Sequence, residues 1–194
     1  MYGLMLRISK MMAYAGGMML VALIFLTSLS ILGRSLNGVL HSDFFKTHLM
    51  SLSQWGLEAG IGPINGDFEL VEAGVAFSIF AFLPLCQISG AHATVDIFTA
   101  ALSNRANRIL RLITELVFAA VLVLIAVQLF GGMQSKLRSG QTTLLIEFPL
   151  WWAYALSLIG AVAAAIIAVY LAAMRVLESV TGRRILPDEL GADH

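Results

Sequence analysis

The segment FPLWWAYALSLIGAVAAAIIAVYLAAM, residues 148–174, decides the fold class of this chain. It contains no charged side chain and lies between Glu147 and Arg175. A helix rises about 1.5 Å per residue, so this segment would be about 40 Å long and would exceed the roughly 30 Å hydrocarbon core of a bilayer. The sequence therefore predicts a transmembrane helix here.

Three other uncharged windows are also long enough to cross a bilayer, which takes about 20 residues. They are residues 11–33, 73–91 and 116–135. Because flanking residues can lie at the membrane surface, the spans extend slightly beyond some of these windows. We place the four spans at about 11–33, 70–91, 109–135 and 148–174. The predicted fold is an all-α integral membrane protein with four transmembrane helices.

The composition supports a membrane protein and excludes several other classes. The chain has 194 residues, of which 59% are hydrophobic and 12% charged, whereas soluble domains contain about 25% charged residues. A net charge of zero gives no basic surface for nucleic acid. Cys86 is the only cysteine, so no disulfide framework or paired-cysteine metal site can form. We expect one membrane domain over residues 1–182 and a short cytoplasmic tail over 183–194.

The distribution of Lys and Arg predicts the orientation in the membrane, because cytoplasmic loops carry the excess of these residues. With the N-terminus in the cytoplasm, eight fall on that side and four on the other. The eight are Arg7, Lys10, Arg105, Arg108, Arg111, Arg175, Arg183 and Arg184, and the four are Arg34, Lys46, Lys136 and Arg138. We therefore predict that both termini are cytoplasmic.

The longest connection is the outer loop at residues 35–67, between the first two spans. Its apolar residues lean to one side of a helix, which is typical of a segment that lies on a membrane surface. These residues are Phe44, Phe45, Leu49, Leu52 and Trp55. An interfacial helix and an ordinary surface loop are both compatible with this pattern.

The four uncharged windows contain no Asp, Glu, Lys, Arg or His. Charged residues at membrane depth usually mark an ion path or a proton relay, so the sequence offers no such residue within these windows. His41, His48, His92 and His194 all lie outside the windows, which disfavours a haem held between two histidines. The metalloprotease and phosphate-loop motifs are also absent. We predict no catalytic, cofactor-binding or metal-binding residues, and therefore no enzyme.

Polar residues gather at the ends of the second and third spans. Gly90 allows a tight helix exit, and His92 and Asp96 would share one face if a helix continued. The alternative interpretation is that these residues only cap the helix and form a polar cluster at the level of the lipid headgroups. Ser103 and Asn104 are both competent caps for the helix of the third span.

The fourth span begins with Pro149, a residue favoured in the first turn of a helix. Trp151, Trp152 and Tyr154 form an aromatic anchor of the kind found at membrane interfaces. Gly160 and the alanines after it give this helix a small-residue surface, which allows close helix packing in lipid.

Taken in order, these span ends resemble the small membrane subunit of tripartite ATP-independent periplasmic (TRAP) transporters. The resemblance covers residues 68–170. Its motifs are Glu69-Leu70, Gly90-Ala91-His92-x-x-Val95-Asp96, Arg105 with Arg108, Ser139-Gly140-Gln141 and Pro149-x-Trp151-Trp152-x-Tyr154.

The resemblance implies a non-catalytic scaffold in a bacterial inner membrane. Its expected partners are a larger elevator-type transport subunit, a periplasmic substrate-binding protein and phospholipids, and its expected role is sodium-driven uptake of organic acids. The structural or interface candidates are Glu69, Gly90, His92, Asp96, Arg105, Arg108, Gly140, Gln141, Pro149, Trp151, Trp152, Tyr154 and Gly160.

Two other functions remain open from the residues alone. One is a four-helix redox or quinone-linked membrane subunit, which a haem band in the absorption spectrum would reveal. The other is a self-associating tetraspan adaptor or lipid-binding protein, which would form homo-oligomers without a transport partner.

Overall fold

A computed structural model describes residues 1–90 and 103–181. The regular secondary structure in these ranges is entirely α-helical, apart from one isolated β-bridge between Thr142 and Pro149. The helices are α1 (Tyr2–Leu40), α2 (Asp43–His48), α3 (Met50–Glu58), α4 (Asp67–Ser89), α5 (Asn104–Ser139) and α6 (Leu150–Thr181). Four of them, α1, α4, α5 and α6, are long and apolar enough to cross a membrane. The prediction of an all-α protein with four such helices is confirmed.

The four long helices form a row rather than a square bundle. In the row, α1 packs on α4, α4 packs on α6, and α6 packs on α5. Burial follows this order, since the most apolar window is 39% buried in α4 and 50% in α6 but only 17% in α1 and 11% in α5. The two edge helices are therefore covered on one side each, and the row presents two broad apolar faces.

Small residues set the spacing at the centre of the row. Ala81 of α4 is fully buried between Gly16 of α1 and Gly160 of α6. A Cβ atom on Gly160 would lie 2.6 Å from the carbonyl carbon of Phe80, and one on Gly16 would lie 3.0 Å from the Cβ of Ala81. The helix backbones approach this closely because neither glycine carries a side chain, the packing mode that holds helices together in lipid.

Alanines fill the seam between α5 and α6. The buried cluster there consists of Ala119, Leu122, Ala164, Ala165, Ala168 and Ala172. Near one end of this seam, Tyr154 of α6 packs over Gly132 of α5, where an added Cβ would lie 2.7 Å from the tyrosine ring. The glycine therefore provides the space for the ring.

The helices alternate in direction, and the row has two distinct ends. At one end, the first turns of α1 pack beside Ile88, Ile167 and Leu171 near the ends of α4 and α6. The other end carries the connections at residues 41–66 and 140–149, and we refer to it as the hairpin end. Six of the eight Lys and Arg assigned to one side by sequence lie at the opposite end of the row, within the end regions of α1, α5 and α6, and Arg183 and Arg184 lie outside the described residues.

The connection predicted at residues 35–67 contains more helix than a simple loop. Helix α1 continues to Leu40, and α2 and α3 follow it. The Ser53 hydroxyl of α3 donates to the Leu40 carbonyl at 2.9 Å, which attaches α3 to the end of α1. Trp55 on the other side of α3 is 65% exposed. Helix α3 therefore has one attached side and one free apolar side.

The helix ends follow their sequence signals closely. The Ser103 hydroxyl caps α5 by accepting from the Ala106 amide at 3.3 Å, as its position predicted. Gly90 and Gly140 end α4 and α5 in the left-handed conformation, each with φ of 63°. Pro149 differs from the prediction because it precedes α6 instead of lying in the first turn. Its carbonyl accepts from the Trp152 amide at 3.1 Å.

Candidate functional site

The hairpin end brings together more of the predicted residues than any other described region. The connection between α5 and α6, residues 140–149, is a short hairpin held by backbone bonds. The Thr143 amide donates to the Phe148 carbonyl at 2.9 Å, and the Leu150 amide donates to the Gln141 carbonyl at 3.0 Å. Lys136 donates through Nζ to Oε1 of Gln141 at 2.6 Å. These bonds fix the base of the hairpin to the end of α5.

Glu69 clamps the tip of this hairpin from α4. Its Oε1 accepts from the Leu145 amide at 2.8 Å, and its Oε2 accepts from the Ile146 amide at 3.1 Å. Both carboxylate oxygens are therefore used on two successive amides, which would otherwise lack partners in this turn. The clamp leaves the Leu144 side chain 95% exposed and the Leu145 side chain 64% exposed. The Glu69 carboxylate therefore binds the backbone of the hairpin tip, while the apolar side chains of the tip are exposed.

A second polar network joins α1 to the start of α4. The Ser30 hydroxyl donates to Asp67 Oδ2 at 2.6 Å and accepts from the Ile64 amide at 3.2 Å. Arg34 lies 3.7 Å from the same carboxylate oxygen, but its side chain is 57% exposed. An exposed ion pair contributes little, so the buried hydrogen bond from Ser30 to Asp67 is the stronger link. This network fixes where α4 begins, three residues before the span predicted from sequence.

Beneath the hairpin lies a cavity of about 320 Å³ between α4 and α6, closed on one side by Leu129 of α5. Its wall is mainly apolar, and its polar groups include Glu69, Glu72, Tyr154 and Ser157. Two carboxylates in one small cavity disfavour an organic anion, because like charges repel. The cavity therefore lacks the charge of a carboxylate-binding site.

The aromatic residues at the start of α6 lie beside the cavity. The ring of Trp152 is 5.4 Å from that of Trp151 and 6.4 Å from that of Phe148, measured between centroids. Trp152 is 51% exposed, while Tyr154 faces Gly132 and the cavity. The group has one exposed side and one packed side, as an interfacial anchor requires.

The remaining predicted residues lie elsewhere. Gly160 is at the centre of the row, and Gly90 and the exposed Arg105 and Arg108 are at the end opposite the hairpin. His92 and Asp96 lie outside the described residues, as do the predicted tail and the two arginines before it.

At the end opposite the hairpin, sequence analysis missed a contact between neighbouring spans. Gln87 is buried in α4 and donates through Nε2 to Oε2 of Glu115 in α5 at 3.0 Å. The sequence signal that could have indicated this contact was a glutamine in the second uncharged window together with a glutamate just before the third. Asp67 and Ser30 were missed because they are 37 residues apart, and only the fold brings them together.

Within the two described ranges, no group of three or more His, Cys, Asp or Glu could hold a metal ion. Four long apolar helices with polar groups concentrated at their ends define a multi-pass membrane protein.

Comparison with known families gives the particular family. A sequence model of the family described as "Tripartite ATP-independent periplasmic transporters, DctQ component" matches residues 59–178. The match covers 120 of the 194 residues, from the end of α3 through most of α6, and the chain belongs to this family. The predicted resemblance is confirmed. The curated proteins and the solved structures gave no significant match.

The family places the chain in a three-part system. Its members are the small membrane component of TRAP transporters, which also contain a large membrane subunit and a periplasmic binding protein. The chain is therefore a transporter component.

Proposed function

We propose that this chain is the stationary, non-catalytic scaffold of a sodium-driven organic acid transporter in a bacterial inner membrane. It supports a large elevator-type subunit that carries the substrate and sodium sites. A periplasmic binding protein delivers the substrate. The observation that carries the proposal is the absence of Asp, Glu, Lys, Arg and His from the four uncharged windows, in a chain that belongs to a transporter family.

Two features of the described residues support a scaffold. Glycine and alanine contacts on both sides of α4 lock the row, which disfavours sliding of one helix past another. The cavity beneath the hairpin presents carboxylates, which would repel an organic anion. The transported acid would therefore bind in the large subunit.

In the proposed orientation, both termini are cytoplasmic and the hairpin end faces the periplasm. The single membrane domain covers residues 1–182. Helices α2 and α3 then lie along the outer membrane surface, with Trp55 toward the lipid headgroups. The exposed Leu144 and Leu145 would stand at the periplasmic surface, where a delivering protein could contact them.

Reconstitution of purified components in proteoliposomes tests this function. Sodium-driven uptake is expected when the chain, its large subunit and its binding protein are all present, and none is expected from the chain alone. Omission of the chain should abolish uptake and lower the yield of folded large subunit. A haem band in the purified chain, or a stable monomer that retains no large membrane subunit in mild detergent, would contradict the proposal.

A further inference from the structure

Gln128 of α5 is an amide exposed deep within an apolar span. It lies thirteen residues after Glu115 and eight before Lys136, which are about 20 Å and about 12 Å along the helix axis. Both distances place it inside the hydrocarbon core. The side chain is exposed, and no hydrogen bond to it occurs among residues 1–90 and 103–181.

The other glutamines of the long helices are used within the chain. Gln87 donates to Glu115, and Gln134 accepts from Arg138 at 3.3 Å. An amide in lipid has no water to bond with, and polar side chains at this depth usually bond to a neighbouring helix. Gln128 therefore indicates a hydrogen-bonding neighbour beyond residues 1–90 and 103–181.

The surface around Gln128 allows a helix to approach closely. At 3.6 residues per turn, Leu124 and Gly131 lie about 40° and about 60° to one side of Gln128, away from α6. An added Cβ on Gly131 would meet nothing within 4 Å, so the space beside the amide is open. Five residues define this surface, the Gln128 face, and all of them are exposed: Ala120, Leu124, Gln128, Gly131 and Ser135.

Helix α5 is also the least covered of the four spans, with 11% of its most apolar window buried. It forms one edge of the row and packs closely on α6, with the buried cluster of Ala119 and Leu122 turned away from Gln128. An edge with small residues and a central amide is complementary to a transmembrane helix that carries a hydrogen-bonding group. Lipid tails offer no such group.

We infer that the Gln128 face is where a transmembrane helix of the large subunit packs, with the Gln128 amide bonded to a polar side chain or a free carbonyl of that helix. This inference rests on the proposed function, because it names the surface that meets the large subunit. The opposite edge of the row, formed by α1, is then free of that contact.

Site-specific crosslinking tests the inference. A photoreactive amino acid replaces Gln128 in one variant and Met18, an exposed residue of α1 at the opposite edge, in the control. Both variants are expressed with the large subunit and illuminated in native membranes. A crosslink to the large subunit is expected at position 128, at several times the yield at position 18. A higher or equal yield at position 18, or a crosslink at position 128 only to a second copy of the chain, would overturn the inference.

A matched substitution separates docking from folding. Gln128→Leu should reduce the amount of large subunit retained in mild detergent by about three- to tenfold, the range expected for one interhelical hydrogen bond in a membrane. The melting temperature of the isolated chain should stay unchanged or rise, since an exposed amide in an apolar span is unfavourable. Met18→Leu should change neither the retention of the large subunit nor the melting temperature.

Unchanged retention in Gln128→Leu, while the wild-type chain retains its partner, would overturn this inference but not the proposed function. Failure of the wild-type chain to retain the partner would instead contradict the proposed function.

Discussion

Glu69 has a local role that its sequence position alone did not reveal. It lies in the first turn of α4, where a carboxylate is favoured by the helix dipole. The structure shows that it also binds two amides of a hairpin 76 and 77 residues later. A single side chain therefore links the first turn of one span to the connection between two others.

Replacement of Glu69 by glutamine should loosen the hairpin tip without unfolding the row. The amide has one oxygen where the carboxylate has two, so the amide of Leu145 or that of Ile146 loses its partner. We expect backbone hydrogen exchange at these two residues to rise about fivefold, which corresponds to about 1 kcal/mol of local stability. Hydrogen exchange measured by mass spectrometry on the detergent-solubilised chain gives the result.

Glu72→Gln is the matched control for this experiment. Glu72 is on the same helix and lines the cavity, but it makes no hydrogen bond to the hairpin among the described residues. Its substitution should leave exchange at the tip unchanged. Equal protection of the tip in the wild-type chain and in Glu69→Gln would show that the clamp is not what orders the hairpin.

At the scale of elements, the sequence predicted which segments are helical but not how they are arranged. The four spans were found because each uncharged window exceeds the length needed to cross a bilayer. Helix α1 is longer than its window, since beyond the apolar region a helix needs only backbone bonds and can contain polar residues such as Asn37. Asn37 donates to the Ile61 carbonyl at 2.9 Å, which stabilises this extension.

The order of helices in the row could not be read from the sequence. Helices that are apolar on all sides give no periodic signal for the side that packs. The small residues of α6 indicated a packing face, but not that Gly160 meets the backbone of α4 at Phe80. The candidate residues at the hairpin end were named by their order along the chain, and their contacts depend on bonds between distant segments such as Glu69 and Leu145.

Gly160→Ala should destabilise the pair formed by α4 and α6. The new methyl group would press on the Phe80 backbone, which cannot move aside as the tip of a side chain can. Overpacking of this kind costs about 1–3 kcal/mol, so the melting temperature of the purified chain should fall by several degrees. Gly160→Leu should lower the melting temperature further.

Gly17→Ala in α1 is the control, because a Cβ there meets nothing within 4 Å, and no loss of stability is expected. Equal melting temperatures for the two alanine variants would contradict this account of the α4–α6 contact.

At the scale of the whole molecule, alternating helix directions place charge and connections at opposite ends of the row. The N-terminal turns of α1 and the ends of α4 and α6 share one end, where six of the ten described Lys and Arg lie. The hairpin and α3 share the other end. The proposed orientation would place the end opposite the hairpin in the cytoplasm, because cytoplasmic segments carry the excess of Lys and Arg.

Cysteine labelling in intact cells tests this orientation. Cys86 is the only native cysteine, so Cys86→Ser gives a background without thiols. Leu144→Cys in that background lies at the exposed hairpin tip, and Ser103→Cys lies at the opposite end, also exposed. A membrane-impermeant maleimide should label the first in intact cells with a permeable outer membrane. It should label the Ser103→Cys variant only after the inner membrane is disrupted.

The reverse pattern would place the hairpin in the cytoplasm, and a binding protein in the periplasm could then not reach the Leu144 tip.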